Sequence, residues 1–351
     1  MAEADPTIAE ATETSLPVRQ PALDGVRAIA VMLVLAAHAN LFKLGGLGVD
    51  IFFGLSGYLI TGILLDAKAA HPSKRDYFVP FYMRRALRIL PLAWAVALIA
   101  AAIEDQWSGL LWYMGYLVNW LPTNPPPDVL GHYWSLAVEE QFYLVWPAVV
   151  LFAPRRVLPK ITVGVILFDI ICRLAVSISP PAFANAQFLD FATFARADTL
   201  AVGALLAQME RSRGLPVRRI GWAWVAALVA AVLILAIHRL ETRGVMPLLT
   251  YNLKWPIVAA GVGAALLVVL VQPPRFLKWF WMRWIGQISY GVYVIHALLS
   301  RPLHARFESP IVVFVLLLGL TLPLAALSWY FFEAPILAQK HRWPMPSARR
   351  G

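Results

Sequence analysis

The sequence predicts an all-α integral membrane protein of about ten transmembrane helices with both termini in the cytoplasm, and three observations predict it. Hydrophobic residues make up 60% of the 351 and charged residues 14%, against roughly 45–50% and about 25% in soluble domains. Apolar stretches of about 16–22 residues, enough to cross roughly 30 Å of hydrocarbon, recur along nearly the whole chain. The 30 Lys and Arg against 20 Asp and Glu, a formal charge of +10, sit in short clusters between those stretches. That is the pattern of membrane topology and not of a nucleic-acid partner.

Taken in order, residues 1–20 are polar, with Glu3, Asp5, Glu10 and Glu13. They lack the basic, apolar, small-residue order of a cleaved signal and are expected to form a disordered tail. The membrane domain is expected at 21–338 and a short basic cytoplasmic tail at 339–351. Its spans are predicted at about 26–42, 47–65, 89–103, 134–152, 161–178, 194–209, 220–237, 253–271, 284–300 and 311–332. Leu110–Trp120 is rich in Trp and Tyr but too short to span, and is expected to lie at the headgroup level. Orientation follows from assigning alternate connections to alternate sides. One side receives Arg19, Arg27, Lys68, Lys74, Arg75, Arg84, Arg85 and Arg88, and every later basic cluster, including Arg155 and Arg156. The other receives only Lys43, Arg239, Arg243, Lys254, Arg301 and Arg306. The richer side is expected to be cytoplasmic. A single cysteine, Cys172, excludes an intramolecular disulfide framework and a thiolate-rich zinc site.

Ionisable groups inside such stretches cost about 2.5–3.5 kcal/mol each on insertion scales, so each is a functional candidate. Arg27 and His38 lie on the first span eleven residues apart, about 16 Å in depth. His38 therefore falls toward the outer leaflet. Asp50 is expected at the outer end of the second span, and Glu139 and Glu140 at a depth similar to that of His38. His296 returns to the outer half, and Arg196 and Asp198 can join the same layer. Glu139 and Glu140 are about 100° apart on a helix, so only one can face His38; the sequence leaves open which. A His–carboxylate pair in a partly dry cavity makes a general base. The competing reading is an interhelical hydrogen-bond network that only fixes packing.

At the cytoplasmic entrance to the third span, Arg85 and Arg88 share one helical face, a spacing suited to phosphate groups, though a bare cluster also serves as a topology anchor. Gly45-Gly46-Leu47-Gly48 lacks the Lys-Ser/Thr of a phosphate loop. Gly54-Leu55-Ser56-Gly57 follows no strand, so it reads as small residues for close helix packing and not as a nucleophile elbow. No His-Glu-x-x-His is present, and no metal site is expected.

Leu23-Asp24-Gly25-Val26-Arg27-Ala28-Ile29-Ala30, with Val34 and His38, resembles the first-helix signature of the type 3 acyltransferase family, multi-span bacterial O-acyltransferases. Gly48-Val49-Asp50-Ile51-Phe52-Phe53 with Leu55-Ser56-Gly57-Tyr58 resembles its second-helix motif, and Arg84-Arg85-Ala86-Leu87-Arg88-Ile89 its arginine motif. Tyr133-Trp134-Ser135-Leu136-Ala137-Val138-Glu139-Glu140-Gln141-Phe142-Tyr143 resembles its most recognisable run. Arg196 with Asp198, Tyr293 with His296, and Phe332-Glu333-Ala334-Pro335 complete the set in order. Gly54 and Tyr58 depart from it slightly. Some members carry an added extracytoplasmic esterase-like domain, and none is expected in this sequence.

The resemblance implies an acyl-CoA donor in the cytoplasm and no permanently bound cofactor. The acceptor would be a hydroxyl on a sugar, glycan, lipid or secreted metabolite at or beyond the outer face of a bacterial inner membrane. The protein is then expected to transfer an acyl group, acetyl or another short chain. His38 is expected to be the base; Glu139 or Glu140, with Asp50, positions or charge-balances it; Arg85 and Arg88 hold the donor's phosphates, and Arg27 holds those phosphates or the cavity floor. Ser56, Trp134, Ser135, Arg196, Asp198, His296 and Glu333 are further cavity candidates. An acyl-enzyme through Ser56 or Ser135 stays open. The alternative is a transporter or flippase that uses the same polar layer as a substrate path.

Overall fold

The computed structural model describes residues 20–121, 128–177 and 190–346, and is all-helical, with no strand among them. The expected N-terminal tail therefore lies outside the described residues, apart from Gln20. The helices are α1 (Pro21–His38), α2 (Leu47–Ala69), α3 (Lys74–Glu104), α4 (Leu110–Met114), α5 (Tyr133–Phe152), α6 (Leu158–Ser177), α7 (Asp198–Arg213), α8 (Ile220–Thr242), α9 (Pro247–Val271), α10 (Phe280–Arg306), α11 (Pro310–Ser328) and α12 (Ala334–Ala338). A π-helical turn, Trp329–Glu333, joins the last two. Each predicted stretch overlaps a helix, and residue 178 of the fifth lies outside the described residues. Among the described residues, seven helical segments are long and apolar enough to cross a membrane. The helices α6, α7 and α10 fall outside that set: α7 has only 16 residues, α6 carries Asp169 and Arg173 on its buried face, and α10 has basic groups near both ends. Leu110–Trp120 forms only a short helix and a 3-10 turn, and Trp94 on α3 ties it down by donating to the Met114 carbonyl.

Small residues set the closest packing. A Cβ at Gly57 on α2 would overlap the Leu200 carbonyl of α7, and one at Gly203 would overlap the Gly54 carbonyl in return. The two helices thus touch backbone to backbone, as small residues allow in a membrane. At Gly286 a Cβ would overlap the Asp24 carbonyl, which brings α10 equally close to α1. Since α1 also packs on α2 and α2 on α5, the helices α1, α2, α5 and α10 contribute to one apolar core that includes Val31, Val34, Phe53, Leu136, Val138 and Val292. The functional side chains stand at the two ends of that core.

Candidate functional site

At one end of the bundle the helix termini open a cavity of about 790 Å³. His38 is the last residue of α1, Asp50 lies in the first turn of α2, and His132 caps α5. Asn40 turns the chain with φ 55, so α1 stops four residues short of the predicted span end. All three residues line the cavity, with Trp134, Arg196, Lys254, Trp255, Tyr293 and His304. Arg196 Nη2 donates to Asp50 Oδ1 at 2.8 Å, both side chains being 3% exposed. The guanidinium also lies over the Trp255 ring, 3.7 Å from its centroid, with Trp134 at 5.3 Å. A buried charge pair of this kind persists only when the surrounding groups compensate desolvation, which the aromatic faces help to do.

The His38 ring is held by its own helix. Its Nδ1 lies 3.0 Å from the Val34 carbonyl oxygen. A carbonyl only accepts, so Nδ1 carries the proton and Nε2 keeps the lone pair. The backbone carbonyl of His38 accepts from Ser300 and His304 of α10, which fixes the end of α1. His296, fully buried, meets His38 edge to face with centroids 4.5 Å apart, and His132 follows at 6.4 Å.

Toward the other end lies a second polar group. Ser56 Oγ donates to Glu139 Oε1 at 2.7 Å, and Arg27 and Arg85 lie within electrostatic range of that carboxylate. Arg27 pairs with Asp24 at 2.8 Å. Arg85 lies over the Tyr143 ring. Arg88 is sandwiched between Tyr290 and Trp329, 5.5 and 5.1 Å from their centroids, and faces Glu333 at 3.6 Å. Three guanidinium groups thus converge, with Arg27 and Arg85 both acting on Arg88. Like charges gathered this way suit a polyanion.

The structure brings His38, Asp50, Trp134, Arg196 and His296 together, but Asp50 bonds to Arg196 and not, as expected, to His38, whose ring is held by Val34; the remaining candidates lie apart from this group. Among the described residues neither Glu139 nor Glu140 bonds to His38, contrary to expectation. The reason is depth: α5 starts at the level of His38, so Glu139, six residues on, lies about 9 Å further along the bundle. Glu140 is half-buried, and its Oε1 has no hydrogen-bond partner among the described residues. Asp198 does not line the cavity; it pairs with Arg173 at 2.8 Å, and Arg173 also donates to the Ala195 carbonyl. Ser135 is buried against the Tyr293 hydroxyl. Sequence reasoning missed His132, Lys254, Trp255 and His304 as site residues. His132 directly precedes the most recognisable motif, and that position was its only signal. The others read as ordinary loop or span residues until the fold gathered them.

Residues 20–330 match the family described as acyltransferase domain. The chain belongs to that family. It is 31% identical to the Bacillus subtilis protein named "Putative peptidoglycan O-acetyltransferase YrhL", over 92% of this chain and 55% of that protein. It is 28% identical to peptidoglycan O-acetyltransferase OatA of Listeria monocytogenes, over 90% of this chain and 55% of that one. O-acetyltransferase OatA of Staphylococcus aureus is 27% identical, over 90% of this chain and 57% of its own length. The chain spans about half the length of the curated relatives it matches. No solved structure matches. Family and apolar helices together make the chain a multi-pass membrane protein.

Proposed function

We propose that the protein is an acyltransferase of the bacterial inner membrane that moves an acyl group, acetyl or another short chain, from acyl-CoA to a hydroxyl of an envelope carbohydrate. The observation that carries the reading is the His38 ring. Its Nδ1–H is committed to Val34, so the basic Nε2 is left for a hydroxyl in the cavity. In this reading the cavity is the acceptor side and faces outward, as the distribution of Lys and Arg suggests. The acceptor O–H loses its proton to His38 Nε2, its oxygen attacks the acyl carbon, and the carbon–sulfur bond breaks. The thiolate leaves and takes the proton back from His38. Arg27, Arg85 and Arg88, on the cytoplasmic side in this reading, hold the donor's phosphates by paired, charge-assisted hydrogen bonds. The Asp50–Arg196 pair with Trp134 and Trp255 forms the wall against which the acceptor lies. The relatives' names, which specify peptidoglycan, support a glycan acceptor.

The test uses purified protein in liposomes with an acyl-CoA donor and a soluble glycan fragment, and follows thiol release together with ester formation by mass spectrometry. His38→Ala is expected to fold normally and to lower turnover about 10²–10⁴-fold. Wild-type turnover in that variant refutes the mechanism. A transporter or flippase would consume no thioester and leave the glycan unchanged.

A further inference from the structure

The acceptor cavity contains an imidazole that the mechanism above does not use. His132 lines the cavity beside His38, is 7% exposed, and among the described residues neither ring nitrogen makes a hydrogen bond. The carbonyls of Val129, Tyr293 and Val294 lie close enough to influence the ring but none is in bonding geometry. A neutral imidazole must carry one N–H, and leaving such a donor buried without a partner costs about 1–3 kcal/mol, which calls for an explanation. The residue is not loosely placed. Its backbone carbonyl accepts from Tyr293 Oη at 3.0 Å and Ser135 Oγ at 3.2 Å, and its ring packs edge-on against Tyr133, Tyr293 and His296. A metal does not explain the three imidazoles, since among the described residues no three His, Cys, Asp or Glu are arranged to hold one.

We propose that His132 is a second catalytic residue, whose neutral imidazole donates its N–H to the acyl carbonyl oxygen as that oxygen becomes an oxyanion. The assignment rests on the acyl-transfer reading of the cavity. Burial and the neighbouring His38 push the His132 imidazole down to about 3, so it stays neutral and does not compete for the acceptor's proton. Its place at the N-terminus of α5 adds the positive end of the helix dipole, which disfavours an imidazolium further and favours a developing anion. In the step itself the hydroxyl proton goes to His38 Nε2 and the carbonyl electron pair moves onto oxygen. His132 lends its N–H to that oxygen without releasing it. When the carbonyl re-forms, the carbon–sulfur pair leaves with the thiolate, and His132 is unchanged.

The test compares His132→Leu with His132→Asn, of similar bulk, of which only Asn offers an N–H. Both are assayed in liposomes with acyl-CoA and one soluble glycan acceptor beside wild type and His38→Ala, after monodispersity and melting have been checked. His132→Leu is expected to lower kcat about 10²–10³-fold, the usual worth of one oxyanion donor, with KM nearly unchanged. His132→Asn should recover about tenfold or more of that loss. If folded His132→Leu keeps wild-type kcat, or if Asn is no better than Leu, the assignment falls while the acyl-transfer reading stands. If wild type itself consumes no thioester, both fall together.

Discussion

The Asp50–Arg196 pair offers the most quantitative test of how the cavity wall is held. Removing one partner of a buried ion pair costs about 3–5 kcal/mol, because the other charge is left uncompensated. The two single substitutions should not cost the same. In Asp50→Asn the guanidinium stays on the Trp255 face, 3.7 Å from its centroid. A desolvated cation–π contact is worth about 2 kcal/mol, and the Asn oxygen still accepts, so the loss should fall near the lower limit, about 3 kcal/mol. In Arg196→Gln the Asp50 carboxylate loses the one ion-pair partner it has among the described residues, and the more distant Lys254 is offset by the like-charged Asp198, so the loss should approach about 5 kcal/mol. The double variant places two neutral amides opposite each other. It should be more stable than the sum of the singles predicts by about 2–3 kcal/mol. Unfolding in detergent, followed as a double-mutant cycle with Asp50→Asn, Arg196→Gln and their combination, measures this. Additivity within about 0.5 kcal/mol would refute the reasoning and make the pair a coincidence of packing.

Glu139→Gln leaves Ser56 an oxygen to donate to, so it should cost about 1 kcal/mol of stability or less while changing the apparent KM for acyl-CoA through Arg27 and Arg85. Glu140→Gln removes a carboxylate whose buried oxygen has no partner and should leave stability unchanged or higher; equal effects from the two would contradict this. Arg88→Lys loses the fit between Tyr290 and Trp329 and should raise the KM for acyl-CoA about 5–30-fold, a 1–2 kcal/mol effect. Arg155→Lys, exposed between α5 and α6, should not change it, and a comparable rise there would show that bulk charge and not this cradle binds the donor.

How far the sequence reached depends on which quantity carried each inference. Apolar run length located every long helix, because the need to satisfy backbone groups inside a bilayer leaves little choice of secondary structure. Run length was poorer at distinguishing helices that meet lipid from helices that carry polar partners. The pair Arg173 and Asp198 is satisfied within the bundle, so α6 and α7 need not be uniformly apolar. The depth of side chains was legible only as well as helix ends were. Placing the end of α1 at 42 instead of His38 moved the histidine six ångströms on a 1.5 Å rise. That small shift was enough to bring Glu139 onto the same level and suggest a pair that does not form. The His38–Val34 bond was legible in principle, since residues four apart stack on a helix. The unpaired His132 was not, because a lone His before a span has the same sequence signature whether or not the fold leaves it a partner.

The separation between the two polar groups constrains the chemistry that can join them. Arg27 and His38 stand eleven residues apart on one helix, about 16 Å along the bundle axis. A donor anchored by its phosphates at the arginines must therefore carry its reactive carbon on a long arm if transfer to an oxygen beside His38 is direct. The thioester arm of acyl-CoA has that form, whereas a compact acyl phosphate does not. Between the two ends α1 presents Val31, Val34 and Leu35, all buried and apolar. The half-buried Ser56, bonded to Glu139, is the polar group partway along α2. Direct transfer then requires the arm to pass Ser56 without reacting, and a two-step route would instead leave an ester there. Rapid quenching of wild type with acyl-CoA and no acceptor, followed by intact-mass measurement, separates the two. Direct transfer predicts unmodified protein, and an acyl adduct lost in Ser56→Ala would replace it with a relay through α2.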